Sequence, residues 1–150
     1  MPNKAASRCL TVLIAEDDDG HAELIQSQLE DAGVKNKMER FRDGLELWNF
    51  LDSNGRKDQA YLILLDLRMP KMDGLEVLKR IKSDPLLSLI PVIMLTTTDD
   101  PKEVEDCYRL GCNCYVTKPV EFSAFAETLN RLGLFLLIMS ISDVPRRAAS

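Results

Sequence analysis

Five times along this 150-residue chain a short apolar run gives way to a stretch of helical periodicity. Val12 to Ala15 precede Ala22, Ile25, Leu29 and Ala32, with Gly33 as a stop. Met38 to Phe41 form a weaker second strand pattern. Asp43 then offers a cap for a helix with apolar face Leu45, Leu47, Trp48 and Leu51, ending near Ser53-Asn54-Gly55. Tyr61 to Leu65 is unbroken apolar sequence, the mark of a strand buried on both faces. Leu75, Val77, Leu78 and Ile81 predict a helix that stops before Pro85. Pro91 opens the strand Val92 to Leu95, and Asp100-Pro101-Lys102-Glu103 supplies a cap, a first-turn proline and an acid for a helix ending at Gly111. Cys112 to Thr117 predict the fifth strand, and a last helix starts near Ser123. Such alternation predicts a doubly wound α/β sheet with helices on both faces.

The length suits one domain with a single sizeable core. No repeat or linker divides it, so residues 1–9 read as a tail, 10–132 as the domain and 133–150 as an apolar extension of the last helix plus a tail. A net charge of −5 without a basic stripe argues against nucleic acid as a partner, and Arg146-Arg147 is only a pair on a solvated tail. The first ten residues lack the apolar run of a signal peptide, and Leu134 to Met139 is far short of the ~18 residues that span a bilayer. A cytoplasmic protein without a membrane partner is expected. Of the four cysteines, Cys112 and Cys114 are too close for a usual zinc knuckle and no histidine stands near them; with Cys9 and Cys107 they read as reduced, mostly buried thiols.

In doubly wound sheets ligands bind beyond the carboxyl ends of the strands. The first strand here ends in Glu16, Asp17, Asp18 and Asp19. Two such charges about 4 Å apart repel by about 4 kcal/mol at an effective dielectric near 20, so a cluster of this kind needs a cation. The third strand ends in Asp66, the fourth in Thr96 and Thr97, and the fifth in Lys118 before Pro119. Magnesium takes a few carboxylates, waters and a phosphate, and Glu16, Asp17 and Asp66 suit it. A strand-end carboxylate accepts a phosphoryl group as an acyl-phosphate, with a lysine and a hydroxyl to neutralise and orient its oxygens. Asp66 is therefore the candidate acceptor. Asp18 or Asp19 reads as a helix cap, and His21, the only histidine, as a partly exposed helix residue.

"IAEDD" (14–18), "LILLDLRMPKMDG" (62–74), "VIMLTTT" (92–98) and "CYVTKP" (114–119) together resemble the receiver domain of bacterial two-component response regulators over residues 10–132. The resemblance implies a flavodoxin-like (βα)5 fold with strand order 2-1-3-4-5. It also implies phosphoryl transfer from a sensor histidine kinase onto Asp66 with Mg2+. Glu16, Asp17, Asp66 and the backbone carbonyl of Arg68 match the metal ligands, Lys118 the active-site lysine, and Thr96 with Tyr115 the switch pair. Pro119 matches a proline that is typically cis. Glu16 stands where Asp is frequent, Thr97 is bulkier than usual, and Arg68 and Thr98 occupy positions that tune phosphoryl lifetime.

Within that family, "DPKEVEDCYRLGCNCYVTKPV" and the apolar end are most similar to the small single-domain regulators that accompany phytochromes. The implied partners are a sensor histidine kinase, with a phytochrome as the candidate, and a downstream protein or phosphotransfer partner, with no DNA-binding output. Phe122, Phe125, Ala126, Leu129 and Leu132 are spaced as the buried face of the last helix. "LGLFLLIMSISDVP" beyond is apolar nearly all round, which predicts a homodimer through Leu134, Phe135, Leu137 and Ile138. A helix folded back on its own domain is the alternative. An aspartyl phosphatase would need a second acid two residues after Asp66, where Arg68 stands, so an enzyme turning over substrate is not expected. A degenerate receiver would lack the acceptor, lysine or threonine, and all three are present.

Overall fold

The strands β1 (Thr11–Ala15), β2 (Met38–Phe41), β3 (Tyr61–Leu65), β4 (Val92–Thr96) and β5 (Cys114–Thr117) alternate with α1 (Asp19–Asp31), α2 (Gly44–Asn54), α3 (Gly74–Ser83), α4 (Pro101–Leu110) and α5 (Phe122–Ile141). They come from a computed structural model that describes residues 10–57 and 59–141, without the side chains of 134–141. The five strands make one parallel sheet in the order β2-β1-β3-β4-β5. Every strand therefore points its carboxyl end at the same rim.

Alternation along the strands divides the core in two. Leu13, Ile63, Leu65 and Met94 pack with Leu47 and Leu51 of α2, Val77, Leu78 and Ile81 of α3, and Cys107 of α4. Val12, Ile14, Leu62, Leu64, Ile93 and Leu95 face the other way, against Ile25 and Leu29 of α1 and Phe125 and Leu129 of α5. Burying each such side chain is worth about 1.5–3 kcal/mol, so β3, buried at all five residues, anchors the sheet on both sides.

Local chemistry sets the helix ends. The carboxylates of Asp18, Asp43, Asp73 and Asp100 accept backbone N–H bonds in the first turns of α1, α2, α3 and α4. Gly33 and Gly111 adopt φ of 106° and 108° where α1 and α4 end, a region glycine enters without strain.

Several expectations need correction. The Lys118–Pro119 peptide is trans, as are all peptides of the described residues. Trans is the lower-energy form of an X–Pro bond, and Lys118 is aimed instead by its N–H bond to the Thr96 carbonyl at 2.7 Å. Leu45 is exposed, because it lies two residues, about 200° of helix, from the buried Leu47. Phe122 is 70% exposed; it opens α5, where its Cβ tilts back beyond the sheet, and the buried face begins at Phe125. Strand β5 starts at Cys114, since Asn113 turns its side chain onto Val92 N. Cys107 and Cys112 are buried free thiols whose burial pushes them up to about 11, and Cys114 is half-buried. Helix α5 runs on past Leu134, Phe135, Leu137 and Ile138, whose side chains lie outside the described residues, as do residues 1–9 and 142–150. No helix of the described residues is long and apolar enough to cross a membrane.

Candidate functional site

The four acids after β1 have four different fates. Glu16 is 1% exposed, and its Oε1 takes a hydrogen bond from Lys118 Nζ at 2.5 Å while its Oε2 accepts from Asp18 N. Asp17 is exposed. Asp18 caps α1 by accepting from His21 N at 2.8 Å. Asp19 binds Arg40 and Arg42 at 2.8 and 2.9 Å, and these bonds, Arg40 foremost, hold its carboxyl below the usual range. The repulsion read in the sequence is thus relieved by one lysine, one helix end and two arginines.

Carboxylate oxygens of Glu16, Asp17 and Asp66 lie within 4.8 Å of one another. Asp66 is buried at the end of β3, with Lys118 Nζ 3.5 Å from its Oδ2. Behind it Gly74 is obligatory: a Cβ there would sit 2.2 Å from the Asp66 carbonyl oxygen. The three oxygens are hard donors on flexible arms, which fits a small divalent cation such as Mg2+. Burial pushes the Glu16 carboxyl up to about 7, opposed by Lys118 and reinforced by Asp66.

Lys118 is 3% exposed and touches Glu16, Asp66 and, at 3.2 Å, Nδ1 of His21. An ammonium has only N–H to offer, so the imidazole nitrogen accepts. The His21 ring stands edge-on to Phe125, with centroids 5.4 Å apart. Thr96 is wholly buried, and its Oγ1 has no partner among the described residues. An unsatisfied buried hydroxyl costs about 1–3 kcal/mol.

Tyr115 donates its hydroxyl to the Thr98 carbonyl at 2.6 Å, and burial pushes its phenol up to about 12. Its backbone N–H donates to the hydroxyl of Tyr108 on α4. Arg68, exposed two residues after Asp66, pairs with Glu103 of α4 at 2.6 Å and lines a cavity of about 250 Å³ with Leu67, Met69, Asp73, Leu75 and Glu103. Glu16, Asp17, Asp66, Thr96 and Lys118 thus stand at the carboxyl ends of their strands on one rim, while Tyr115 lies within β5 opposite Met94 and reaches the Thr98 carbonyl through its hydroxyl. The contacts of His21, Arg40 and Glu103 escaped sequence reasoning, because each joins elements distant in sequence, and that of Tyr108 because a helix side chain turns onto the next strand.

The rim of this parallel doubly wound sheet thus gathers three carboxylates, the strand-end Asp66 among them, with a lysine and a hydroxyl that has no partner among the described residues. The sequence profile of the response regulator receiver domain matches residues 12–130, and the chain belongs to that family. It is 40% identical over 110 residues to the response regulator Rcp1 of Synechocystis, covering 71% of this chain and 75% of that protein. The solved Mn(2+)-bound form of Rcp1 superposes with a TM-score of 0.82 at 33% identity, covering 90% of this chain and 98% of that one. The phosphorylated cyanobacterial phytochrome response regulator RcpA superposes with a TM-score of 0.80 at 35% identity, covering 90% and 97%. The chain is accordingly a receiver domain similar to phytochrome-associated single-domain response regulators.

Proposed function

We propose that Asp66 accepts a phosphoryl group from a phosphohistidine of a sensor kinase in the cytoplasm. The observation that supports this most is the convergence of Glu16, Asp17 and Asp66 oxygens within 4.8 Å, with the Lys118 ammonium touching two of the three. An Asp66 oxygen bonds to phosphorus, the bond to the donor nitrogen breaks, and that nitrogen leaves with the electron pair. Glu16, Asp17, Asp66 and the carbonyl of Arg68 would hold Mg2+. Bound there, Mg2+ neutralises charge on the phosphoryl oxygens. Lys118 offers a point charge to one of those oxygens, and the free Thr96 hydroxyl offers a hydrogen bond to another.

The switch then runs from Thr96 toward Tyr115 and the face of α4, β5 and α5. Phosphorylation favours whichever state gives the phosphoryl oxygens better contacts. Acetyl phosphate and beryllofluoride test this reading. With Mg2+ the protein should gain one phosphoryl group and bind beryllofluoride stably, and chelation should abolish both. Continuous turnover would mark an enzyme, and indifference to both reagents a binding module.

The kinase reading follows the similarity to phytochrome response regulators, and the signal leaves through protein contacts or onward transfer. A homodimer through the apolar stretch after Leu132 is part of the same reading, supported by sequence that is apolar nearly all round. Light scattering should give a dimer for the full chain and a weakened one for Phe135→Asp with Leu137→Asp. A monomer at high micromolar concentration would rule the dimer out.

A further inference from the structure

The first loop of the rim is held from an unexpected direction. Arg40 belongs to β2, where it stands opposite Ile14 of β1. Its Nε and Nη2 both donate to the carbonyl oxygen of Glu16, at 2.9 and 2.7 Å, and its Nη1 donates to Asp19 Oδ1 at 2.8 Å. The side chain is 17% exposed, so these charge-assisted bonds are largely shielded from water.

The Glu16 carbonyl belongs to the peptide that leads into Asp17. The pairing with β2 ends at Glu16, whose N–H still bonds the Phe41 carbonyl at 3.0 Å. Beyond that point a guanidinium fork replaces the ladder. Fixing this carbonyl fixes the torsions on either side of it, hence the directions from which the Glu16 and Asp17 side chains leave the backbone. Asp19, bound to the same guanidinium, ties the start of α1 to the same frame.

We propose that Arg40 is the positioning residue of the acidic pocket, aiming Glu16 and Asp17 at a common divalent cation. This rests on the proposed cation role of those acids. The two physical effects of Arg40 on a nearby cation have opposite signs, which makes the idea testable. As a charge it repels the cation, so its removal would tighten binding. As a clamp it pre-forms the pocket, so its removal weakens binding.

Calorimetric titration with Mg2+ alone, supported by the shift in thermal midpoint at saturating Mg2+, separates them. Arg40→Met should weaken Mg2+ about tenfold, the usual scale for losing a residue that orients a ligand. Arg40→Lys keeps the charge but not the fork, and should weaken it nearly as much, which covers the case that Arg40→Met does not fold. Arg42→Met also removes a positive charge paired with Asp19 but leaves the Arg40 fork on the Glu16 carbonyl in place; it should change affinity less than twofold. Equal or tighter binding by a folded Arg40 variant overturns the clamp and leaves the acidic pocket standing. A wild-type protein that takes up no Mg2+ overturns the pocket, and the clamp with it.

Discussion

Lys118 reaches 102 positions back along the chain to place its ammonium 2.5 Å from Glu16 Oε1, and both side chains are 2% exposed. The pair joins the end of β5 to the end of β1 across the site, while Asp66 lies within 3.5 Å of the same ammonium. Removing one member of a buried ion pair strands the other and costs about 3–5 kcal/mol. Lys118→Ala should therefore lower metal-free stability by about that amount. Mg2+ should restore part of the loss and bind more tightly than in wild type, as urea melts with and without the metal would show. Unchanged metal-free stability would contradict the pairing.

The Glu16 carboxyl, pushed by burial up to about 7 from an ordinary 4.5, sets a pH dependence. Its folded-state value is raised, so the folded protein binds the extra proton between these limits. The stability this contributes is complete below about 4.5 and is lost as pH rises through about 7. Metal-free thermal midpoints should fall across that window, and Glu16→Gln should flatten the slope. Because the cation needs the ionised carboxylate, Mg2+ affinity should rise over the same window. A wild-type slope retained in Glu16→Gln would assign the titration elsewhere.

Thr96 Oγ1 is buried without a partner among the described residues. Thr96→Val replaces that hydroxyl by a methyl of similar size and should raise stability by about 1 kcal/mol. Asp66 should still be phosphorylated in this variant. Amide shifts on adding beryllofluoride should spread to Tyr115 in wild type and remain near Asp66 in Thr96→Val. Full spreading in the variant would remove Thr96 from the switch.

Gly74 closes on the backbone of Asp66. Gly74→Ala should cost about 1–3 kcal/mol through overpacking and displace the acceptor, since the new Cβ meets a carbonyl oxygen and not a flexible side chain. Urea melts and phosphorylation rates should both suffer. A neutral result in both would mean that the α3 start relaxes freely.

The strand-end positions were legible in the sequence because strand periodicity and topology alone place them. Glu16, Asp66, Thr96 and Lys118 end four strands, and parallel strands must end on one rim. Helix caps at Asp18, Asp43 and Asp100 involve neighbours in the chain, so their chemistry is equally local. Arg40 and His21 are different. Their contacts with Glu16 and Lys118 depend on how far a side chain reaches across strands or onto a helix, 24 and 97 residues away. Nothing nearby in the chain announces such a reach. Leu45 is exposed because it lies about 200° of helix from Leu47, and Phe122 because it opens α5 ahead of the buried face that begins at Phe125.

The proposed function stands or falls with Asp66 as the acceptor. Its most direct test is to phosphorylate the protein with Mg2+ and acetyl phosphate, trap the acyl-phosphate by borohydride reduction, and locate the reduced residue by peptide mass spectrometry. The account predicts reduction at Asp66 alone in wild type and none in Asp66→Asn, with Asp18→Asn labelled as wild type. Label at Asp17 or Asp18, or an Asp66→Asn protein modified at the normal rate, would contradict it.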